Sequence, residues 1–413
     1  MARITPCIVA CALAAVLIAC GDAERTTPGA HLTGSITVSA AGGEGEIKAL
    51  QSVADAFMGA HPGTTVVLDT VAVAGELISK LTAAFLANRP PDVFVLNYRR
   101  LGGIAARDVI DPVAGVDTAS LYAKPLTAFT FGGTLLCLPS NASSMVVYYN
   151  PSLFARAGVD TPKTGWSWDD MLSTARALRA KGVSAIGFET ALIRLAPFVW
   201  SNGGEFFDDL EDPTSVDLSS AKAREAIRFL LDLQETGQSA TDRAAQDPES
   251  AFSAGKIAMY LDSRRAVPGF RNTEGLTFDV APVPIKETPT SVLHSDGYCV
   301  TKASKNKSLA RAFAGYVVTG DGARVLAESG RSVPMSPSLA ASDSFIAPGE
   351  APAHSRVFID QLARVRPLPH GPAWNEAEGF VEEVLTQLFA RKLTLDEAIS
   401  KIAEGTKREL AKA

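Results

Sequence analysis

The chain has 413 residues, of which 46% are hydrophobic and 20% are charged, a composition that excludes an intrinsically disordered protein. Its length is sufficient for two domains with sizeable cores. The formal net charge is −6 and no run of Lys and Arg residues is longer than a pair, so we expect neither nucleic acid nor a polybasic membrane contact among its partners.

The pattern of the N-terminal residues predicts an exported protein that is anchored to a membrane by a covalently attached lipid. An apolar run of about 13 residues ends just before Cys20; it is shorter than the ~20 residues that span a bilayer and has the length of a signal-peptide core. The residues Leu17–Cys20 resemble the lipobox of bacterial lipoproteins, which implies cleavage before Cys20 and acylation of its thiol. A plain signal peptide with an incidental cysteine is the alternative. We expect a signal peptide over residues 1–19, a lipidated flexible tether over residues 20–34, and a location at the outer face of the cytoplasmic membrane or in the periplasm.

From residue 35 the chain alternates β-rich runs with apolar residues at helical spacing. The first three predicted strands are SITVSA (35–40), TTVVLDTV (64–71) and PPDVFVL (90–96). Strands joined by helical crossovers form a parallel, right-handed α/β sheet with both faces covered. Ligands bind outside the carboxyl ends of the strands in such sheets, which directs attention to residues 40–44, 70–72 and 96–100.

The second half of the chain continues in the same style. Ser167 and Asp170 have the spacing of a capping box, and Gly182 is typical of a helix end. Further strands and helices are predicted at SSMVVYYN (143–150), 219–237, TFDVAPV (277–283), DGYCVT (296–301), 310–317, 380–388 and 395–402. The pattern indicates an α/β protein throughout.

The sequence contains none of the common motifs for hydrolytic, nucleotide or metal sites. HExxH, GxSxG, CxxC and the Walker A motif do not occur, and the five histidines lack the spacing of metal ligands. The run GGEGEIK has Lys48 where a dinucleotide loop needs its third glycine. A pair of carboxylates for glycoside hydrolysis stays open, because its two members need not be close in sequence. We expect no metal and no cofactor.

Seven blocks of sequence, in order, resemble the sugar-binding proteins of bacterial ABC importers, the maltose-binding-protein-like family. They are PPDVFVLNYRR, LCLPSNASSMVVYYNPSLFARAGVDTPKTGWSWDDM, PFVWSNGGEFF, AFSAGKIAMY, DVAPVP, GRSVP and AWNEAEGFVEEVL, and they span most of residues 35–413. The resemblance implies a two-lobe periplasmic-binding-protein fold with a ligand cleft between lobes joined by crossing strands. It also implies a monomer without catalytic activity, which captures a carbohydrate and delivers it to the transmembrane subunits of an ABC permease.

The resemblance further predicts the division of the chain. The first lobe takes residues 35–140 and 284–335, and the second lobe takes residues 141–283 and 336–413. Such chains hinge where their strands cross, and these crossings are expected around residues 138–144, 280–284 and 333–339.

Carried over position by position, the resemblance assigns polar and aromatic residues to the cleft. They are Glu44, Asn97, Tyr98, Arg99, Asn141, Trp200, Asn202, Asp262, Ser263, Arg264, Ser295, Asp296, Arg331 and Trp374. Aromatic rings suit the apolar faces of a sugar, and Asp, Asn and Arg suit its hydroxyl edges. Trp374 is expected to be the aromatic platform, with a core residue at the start of a helix as the alternative. Many relatives of this family have a Gly and a Trp at the positions after IAMYL. This chain has neither, so we expect hydrogen bonding rather than aromatic stacking there.

Two other functions compete with capture of a neutral sugar. The ligand could be a phosphorylated polyol such as a glycerophosphodiester, because arginines pair well with phosphate, although the same arginines could form surface or inter-lobe pairs. The candidate cations are Arg99, Arg100, Arg264, Arg265 and Arg331. The chain could instead be an exported carbohydrate-active enzyme with a carboxylate pair such as Asp262 and Asp296.

Two cysteines, Cys137 and Cys299, remain once the signal peptide and the lipidated Cys20 are set aside. Export favours oxidation. By the resemblance both lie on strands at the same side of the first lobe's sheet, and we therefore expect a disulfide between them. Two buried free thiols acting as small apolar residues are the alternative.

Overall fold

The computed structural model describes residues 32–237 and 247–412. The predictions for the signal peptide, for Cys20 and for most of the tether lie outside these residues. Gly34, expected at the end of the tether, is the first residue of a strand. Within the described part of the chain, none of the helices has the length and apolar character that crossing a membrane requires.

The strands agree closely with the β-rich runs of the sequence. They are β1 Gly34–Ala41, β2 Thr64–Val71, β3 Val93–Asn97, β4 Ile110–Asp111, β5 Thr130–Phe131, β6 Thr134–Leu135, β7 Cys137–Pro139, β8 Ser143–Ser144, β9 Val146–Tyr149, β10 Ser184–Gly187, β11 Ile257–Asp262, β12 Asp279–Pro282, β13 Ser291–His294, β14 Asp296–Thr301 and β15 Val365–Arg366. The single strand expected over residues 143–150 is divided at Met145 into β8 and β9, which belong to different sheets.

Helices connect and cover these strands. They are α1 Glu44–Ala60, α2 Ala74–Leu86, α3 Leu101–Ala105, α4 Ala123–Ala128, α5 Pro151–Ala157, α6 Trp168–Ala180, α7 Leu192–Ser201, α8 Ala221–Gly237, α9 Pro248–Ser253, α10 Val267–Arg271, α11 Lys307–Thr319, α12 Asp321–Glu328, α13 Pro337–Ala340, α14 Asp343–Ile346, α15 Val357–Asp360, α16 Trp374–Phe389 and α17 Leu395–Leu410. The capping box predicted for α6 is confirmed: Ser167 Oγ accepts from Asp170 N (3.1 Å), and Asp170 Oδ2 accepts from Ser167 N (2.8 Å).

The first sheet has the order β2-β1-β3-β14-β4, and β7 also pairs with β14. Strands β1, β2 and β3 are parallel, as the crossover pattern predicts, whereas β14 runs antiparallel to β3. Because of this direction, Asp296 at the start of β14 lies opposite Asn97 at the end of β3. The carboxyl end of the sheet therefore gathers residues that are distant in sequence.

The second sheet has the order β10-β11-β9-β12. Strands β10 and β11 are parallel, and β9 runs antiparallel to both β11 and β12. Asp262 ends β11 opposite Val146, the first residue of β9. A third, small sheet of β15, β13 and β8 connects the two larger sheets, and in it His294 pairs with Ser143.

The chain returns from the second sheet to the first later than predicted. Residues 280–282, expected at a crossing, are paired along β12 with β9. Residues 284–290, expected in the first lobe, are tied to the second half of the fold: Ile285 N donates to Trp166 O (2.9 Å), and Ile285 O accepts from Trp168 N (3.2 Å). The return therefore runs through β13.

Two hydrophobic cores are present in the described part of the chain. The first covers the first sheet and includes Phe57 and Phe94; it extends to one face of the second sheet, where it includes Tyr148. The second packs α6, α7, α8, α16 and α17 on the other face, with the rings of Trp168 and Phe229 stacked at 4.4 Å. The aromatic side chains in both cores contribute much of the buried apolar area that stabilises the fold.

Cys137 and Cys299 lie in the first core, and both are fully buried. They face each other on the antiparallel strands β7 and β14, with their Cα atoms 4.3 Å apart, and the structure joins them in a disulfide. The bridge connects positions 162 residues apart in sequence.

Candidate functional site

The carboxyl ends of the first and second sheets approach each other beside β13. Asn97 and Asp296 mark the end of the first sheet, Asp262 marks the end of the second, and His294 lies between them on the connecting strand. We call this region, defined by these four residues, the cleft. It is the place where open α/β sheets bind their ligands.

On the first-sheet side, Asp296 is the centre of a polar network. Its carboxylate accepts from Asn97 Nδ2 (3.0 Å), Asn141 Nδ2 (3.4 Å) and Arg331 Nη2 (3.4 Å). Arg331 also forms an ion pair with Glu46, in the first turn of α1. Amide and carboxylate groups at such a network provide both donors and acceptors, as a hydroxyl-rich ligand requires.

Two further predicted residues support this network. Ser295 Oγ donates to the carbonyl oxygen of Asn141 (2.6 Å), which fixes the loop that carries the Asn141 side chain. Arg99 Nε donates to Asn97 Oδ1 (3.2 Å), and its guanidinium forms an ion pair with Glu378 of α16. Arg99 thus connects the end of β3 to a helix that packs in the second core.

On the second-sheet side, Asp262 is fully buried and surrounded by donors. Its Oδ1 accepts from Arg194 Nη2 (2.9 Å) and Ser263 N (2.6 Å). Its Oδ2 accepts from Tyr260 OH (2.8 Å) and lies 2.5 Å from Arg265 Nη2. Burial acts to raise the pKa of Asp262, but Arg194 and Arg265 outweigh it and hold the pKa below its ordinary value. The carboxylate is therefore ionised and neutralised by two cations.

The two arginines have further partners in the cleft. Glu189 Oε2 lies 3.0 Å from Arg194 Nη2, and Glu249 Oε2 lies 2.8 Å from Arg265 Nη2. His294 Nε2 lies 3.4 Å from Arg194 Nη1. Burial and the charge of Arg194 lower the pKa of His294 well below its ordinary value, so its ring is neutral near pH 7.

Helix α16 brings two more carboxyl groups to the edge of the cleft. Glu378 is almost completely buried, and its Oε2 has no hydrogen-bond partner, whereas its Oε1 faces Arg99. Glu382 lies one turn further along the helix; burial, followed by the charge of Glu378, raises its pKa to about 7. This half-buried carboxyl therefore titrates near neutrality.

The structure does not present the predicted aromatic groups to the cleft. Tyr98 is fully buried. Its hydroxyl donates to Leu293 O (3.2 Å) and accepts from Leu368 N (3.0 Å), so the hydroxyl already has hydrogen-bond partners within the protein. Trp374 is also fully buried, at the start of α16 within the second core, and its Nε1 has no partner. In this conformation Trp374 occupies the core position that was the alternative to a stacking platform.

Trp200 and Asn202, on and just after α7, likewise pack inside. Trp200 stacks on Phe206 with ring centroids 5.5 Å apart. Asn202 is fully buried, and its Nδ2 donates to Lys222 O (3.0 Å) and to Glu225 Oε2 (2.9 Å). Trp200 lies in the last turn of this apolar helix and Asn202 directly follows it, where the chain packs onto α8.

The remaining predictions divide between interior and surface. Arg264 is fully buried; its Nε donates to Gly330 O (2.8 Å) and its Nη1 donates to Ser355 Oγ (3.1 Å), and burial lowers its pKa to about 9. Ser263 is buried, and its carbonyl accepts from Tyr148 OH (2.7 Å). Glu44 is exposed in the first turn of α1.

Sequence reasoning missed several ionisable residues of the cleft. They are Glu46, Glu189, Arg194, Glu249, His294, Glu378 and Glu382. One of them left a visible signal: Arg194 interrupts the otherwise apolar run of α7, and a charge inside an apolar helix is retained when it is paired. Among residues 32–237 and 247–412, no group of three or more His, Cys, Asp or Glu side chains is placed to hold a metal ion.

The chain belongs to the bacterial extracellular solute-binding protein family, whose model matches residues 41–323. It is 24% identical over 358 residues to a binding protein of Brucella abortus (strain 2308), which covers 83% of this chain and 85% of that relative. It is 23% identical over 233 residues to the sn-glycerol-3-phosphate-binding periplasmic protein UgpB of the same organism, covering 51% of this chain and 53% of that protein.

Solved structures of the same fold agree with this assignment. The ABC substrate-binding protein Lmo0181 of Listeria monocytogenes, solved in complex with cycloalternan, has a TM-score of 0.81 to this chain at 21% identity. The match covers 92% of this chain and 98% of that protein. The predicted two-lobe periplasmic-binding-protein fold is thus confirmed.

Proposed function

We propose that this protein captures a carbohydrate, either a sugar or an oligosaccharide, in the cleft and delivers it to the transmembrane subunits of an ABC importer. It acts after export as a monomer, and lipid on Cys20 holds it beside the permease. A tether of this kind raises the local concentration of the loaded protein at its partner. The carbohydrate bound by Lmo0181 supports the choice of ligand class.

The observation that carries this proposal is the pairing of the cleft arginines. Arg99 is paired with Glu378, and Arg194 and Arg265 share Asp262. Arg331 is paired with both Glu46 and Asp296. A cation that already has a carboxylate partner does not attract an anion strongly. The cleft offers many hydrogen-bonding groups, and its arginines do not outnumber their carboxylate partners, which suits a neutral polyhydroxyl compound.

A phosphorylated polyol is the second candidate, because UgpB of Brucella abortus is named for binding sn-glycerol 3-phosphate. In this chain a phosphate would have to displace a carboxylate from its arginine and leave that carboxylate unpaired. A buried group that loses its partner costs about 1–3 kcal/mol, and more when it is charged. We therefore expect neutral sugars to bind more tightly than phosphorylated polyols.

An enzymatic role with Asp262 as the proton donor is disfavoured by the state of its carboxyl group. A glycosidase needs one carboxyl group that holds its proton near neutral pH and can give it to the leaving group. The arginines around Asp262 lower the pKa of its carboxyl, so it does not serve as that acid. We propose binding without turnover, and sugars should be recovered chemically unchanged after incubation with the protein.

Thermal denaturation with a defined panel tests the proposal. The panel consists of maltotriose, cycloalternan, D-mannitol and sn-glycerol 3-phosphate. A compound that binds the native state stabilises it by RT ln(1 + [L]/Kd), about 2.7 kcal/mol at a concentration of 100 Kd. We expect at least one neutral member to raise the melting temperature more than the phosphate ester does. A larger shift with the phosphate ester favours the second candidate, and no shift with any member contradicts the proposal.

A matched pair of variants connects binding to the cleft. Asp296→Ala removes the acceptor shared by Asn97, Asn141 and Arg331, and we expect it to weaken binding of the stabilising sugar by about ten-fold or more. Asp160→Ala removes an exposed aspartate after α5, beyond the far end of β9, and should leave the affinity unchanged. Equal affinities of the two variants in calorimetry contradict the assignment of this site.

A further inference from the structure

His294 occupies an unusual place for a histidine in this fold. It is the last residue of β13, the strand that carries the chain from the second sheet to the first, and it pairs with Ser143 of β8. The residue before it, Leu293, is buried in the first core, whereas His294 itself is only half-buried. Strand alternation therefore turns the imidazole away from the first core, to the side on which Val292 packs in the second core.

Charged groups from both halves of the fold surround this imidazole. Arg194, Asp262 and Arg265 act on its charge from the second sheet, and Arg99 acts on it from the end of β3 in the first sheet. His294 Nε2 lies 3.4 Å from Arg194 Nη1, and only Ser295 separates His294 from Asp296, which pairs with Asn97, so the side chain lies in the cleft between the ends of the two sheets. It also lies on a strand that connects the two larger sheets, so a relative movement of the sheets affects its surroundings.

The contact with Arg194 determines how the imidazole can bond. His294 Nε2 lies 3.4 Å from Arg194 Nη1, and a guanidinium has donors but no acceptor. Nε2 is therefore the acceptor nitrogen, and the single proton of the neutral ring resides on Nδ1. Because the two ring nitrogens point in different directions, this N–H points away from Arg194.

We infer that His294 is a ligand-contacting residue whose Nδ1–H donates a hydrogen bond to a hydroxyl oxygen of the carbohydrate bound in the cleft. The inference rests on the proposed function and names a residue of its site. Arg194 is the positioning residue, because its N–H group facing Nε2 favours the tautomer with the proton on Nδ1. Asp262 accepts a hydrogen bond from Arg194 and thereby fixes the position of its guanidinium. A neutral donor at this position suits a hydroxyl or ether oxygen and gives an anionic group no charge to pair with.

Three variants of His294 test whether binding requires a hydrogen-bond donor at the Nδ1 position or only a side chain that fills the same space. The amide of an asparagine overlaps the Nδ1 position, whereas the amide of a glutamine reaches the Nε2 position. We expect His294→Ala and His294→Gln to weaken binding of the stabilising sugar, maltotriose in the first instance, by about ten-fold, and His294→Asn to retain most of the affinity. His354→Ala is the matched control, because His354 is exposed and bonds Asp279 at the far end of the second sheet.

A second readout follows the ring directly. In protein labelled with 15N-histidine, the ring nitrogen shifts of His294 should show a neutral Nδ1–H tautomer near pH 7, and the Nδ1 signal should move on addition of maltotriose. An Nε2–H tautomer or a cationic ring overturns the inference whichever sugars bind. If the panel stabilises the parent while all three His294 variants bind like the His354 control, the inference fails and the proposed function stands. If no member of the panel stabilises the parent, the proposed function fails and the inference falls with it.

Discussion

Glu382→Gln should make the protein more stable above neutral pH. Glu382 is half-buried one turn after Glu378, and these surroundings raise its pKa to about 7. In the unfolded chain a glutamate titrates near its ordinary value of about 4.3. Between these two pKa values the folded state binds more protons than the unfolded state, so the free energy of unfolding falls as the pH rises through this window and stays low above it.

The size of the effect follows from the two pKa values. A change of one pKa unit corresponds to about 1.4 kcal/mol, so a rise from about 4.5 to about 7 sets an upper limit of about 3.5 kcal/mol. Part of the side chain is open to solvent, which screens its interaction with Glu378 and reduces the effect. We expect Glu382→Gln to increase the free energy of unfolding by about 1–3 kcal/mol at about pH 8 and to change it little at about pH 4.

Urea unfolding followed by tryptophan fluorescence, at a series of pH values, measures this directly. The variant should show a flatter pH profile than the parent. The control is Glu383→Gln, since Glu383 is the adjacent residue of α16 and its side chain is exposed. The reasoning is refuted if the Glu382 and Glu383 variants have parallel pH profiles, because the proton bound in the folded state then belongs to another group.

Four other outcomes can be measured. Replacing Cys20 with Ser should move the protein from the membrane to the soluble fraction, and a variant that still sediments with membranes places the attachment elsewhere. Thiol labelling of the unreduced, denatured mature protein should modify neither Cys137 nor Cys299, and two labels on the soluble domain contradict the disulfide. Small-angle scattering should show a smaller radius of gyration with saturating sugar, and an unchanged value counts against closure of the lobes. Asp262→Ala should lower the free energy of unfolding by about 3–5 kcal/mol, because it leaves Arg194 charged and buried without its main partner; a loss below about 1 kcal/mol contradicts that account.

Local patterns were sufficient to predict most of the elements. The β-rich runs at 64–71 and 296–301 become β2 and β14 with the same bounds, and Ser167 begins α6 as its capping box indicates. These features depend on residues within a few positions of one another, through alternation, helical spacing and side chains that bond nearby backbone groups. The seven family motifs can likewise be recognised, in their order, from one sequence without an alignment, so the two-lobe fold was predictable.

The composition of the cleft depended on contacts that no local pattern contains. Arg99 and Glu378 are 279 residues apart, and Asn97 and Asp296 are 199 residues apart, yet each pair meets at the carboxyl end of β3. Which carboxylate neutralises which arginine is decided by the order and direction of the strands.

Burial of the aromatic residues was decided in the same way. The sequence alone determined that an indole stands at the start of α16, and it left open whether Trp374 stacks on a ligand or packs in the core. Helix packing settles this in the described conformation, because the first turn of α16 is enclosed in the second core and Trp374 is fully buried there. Side-chain chemistry is local to the sequence, but the solvent and charges around a side chain are supplied by whatever the fold brings next to it.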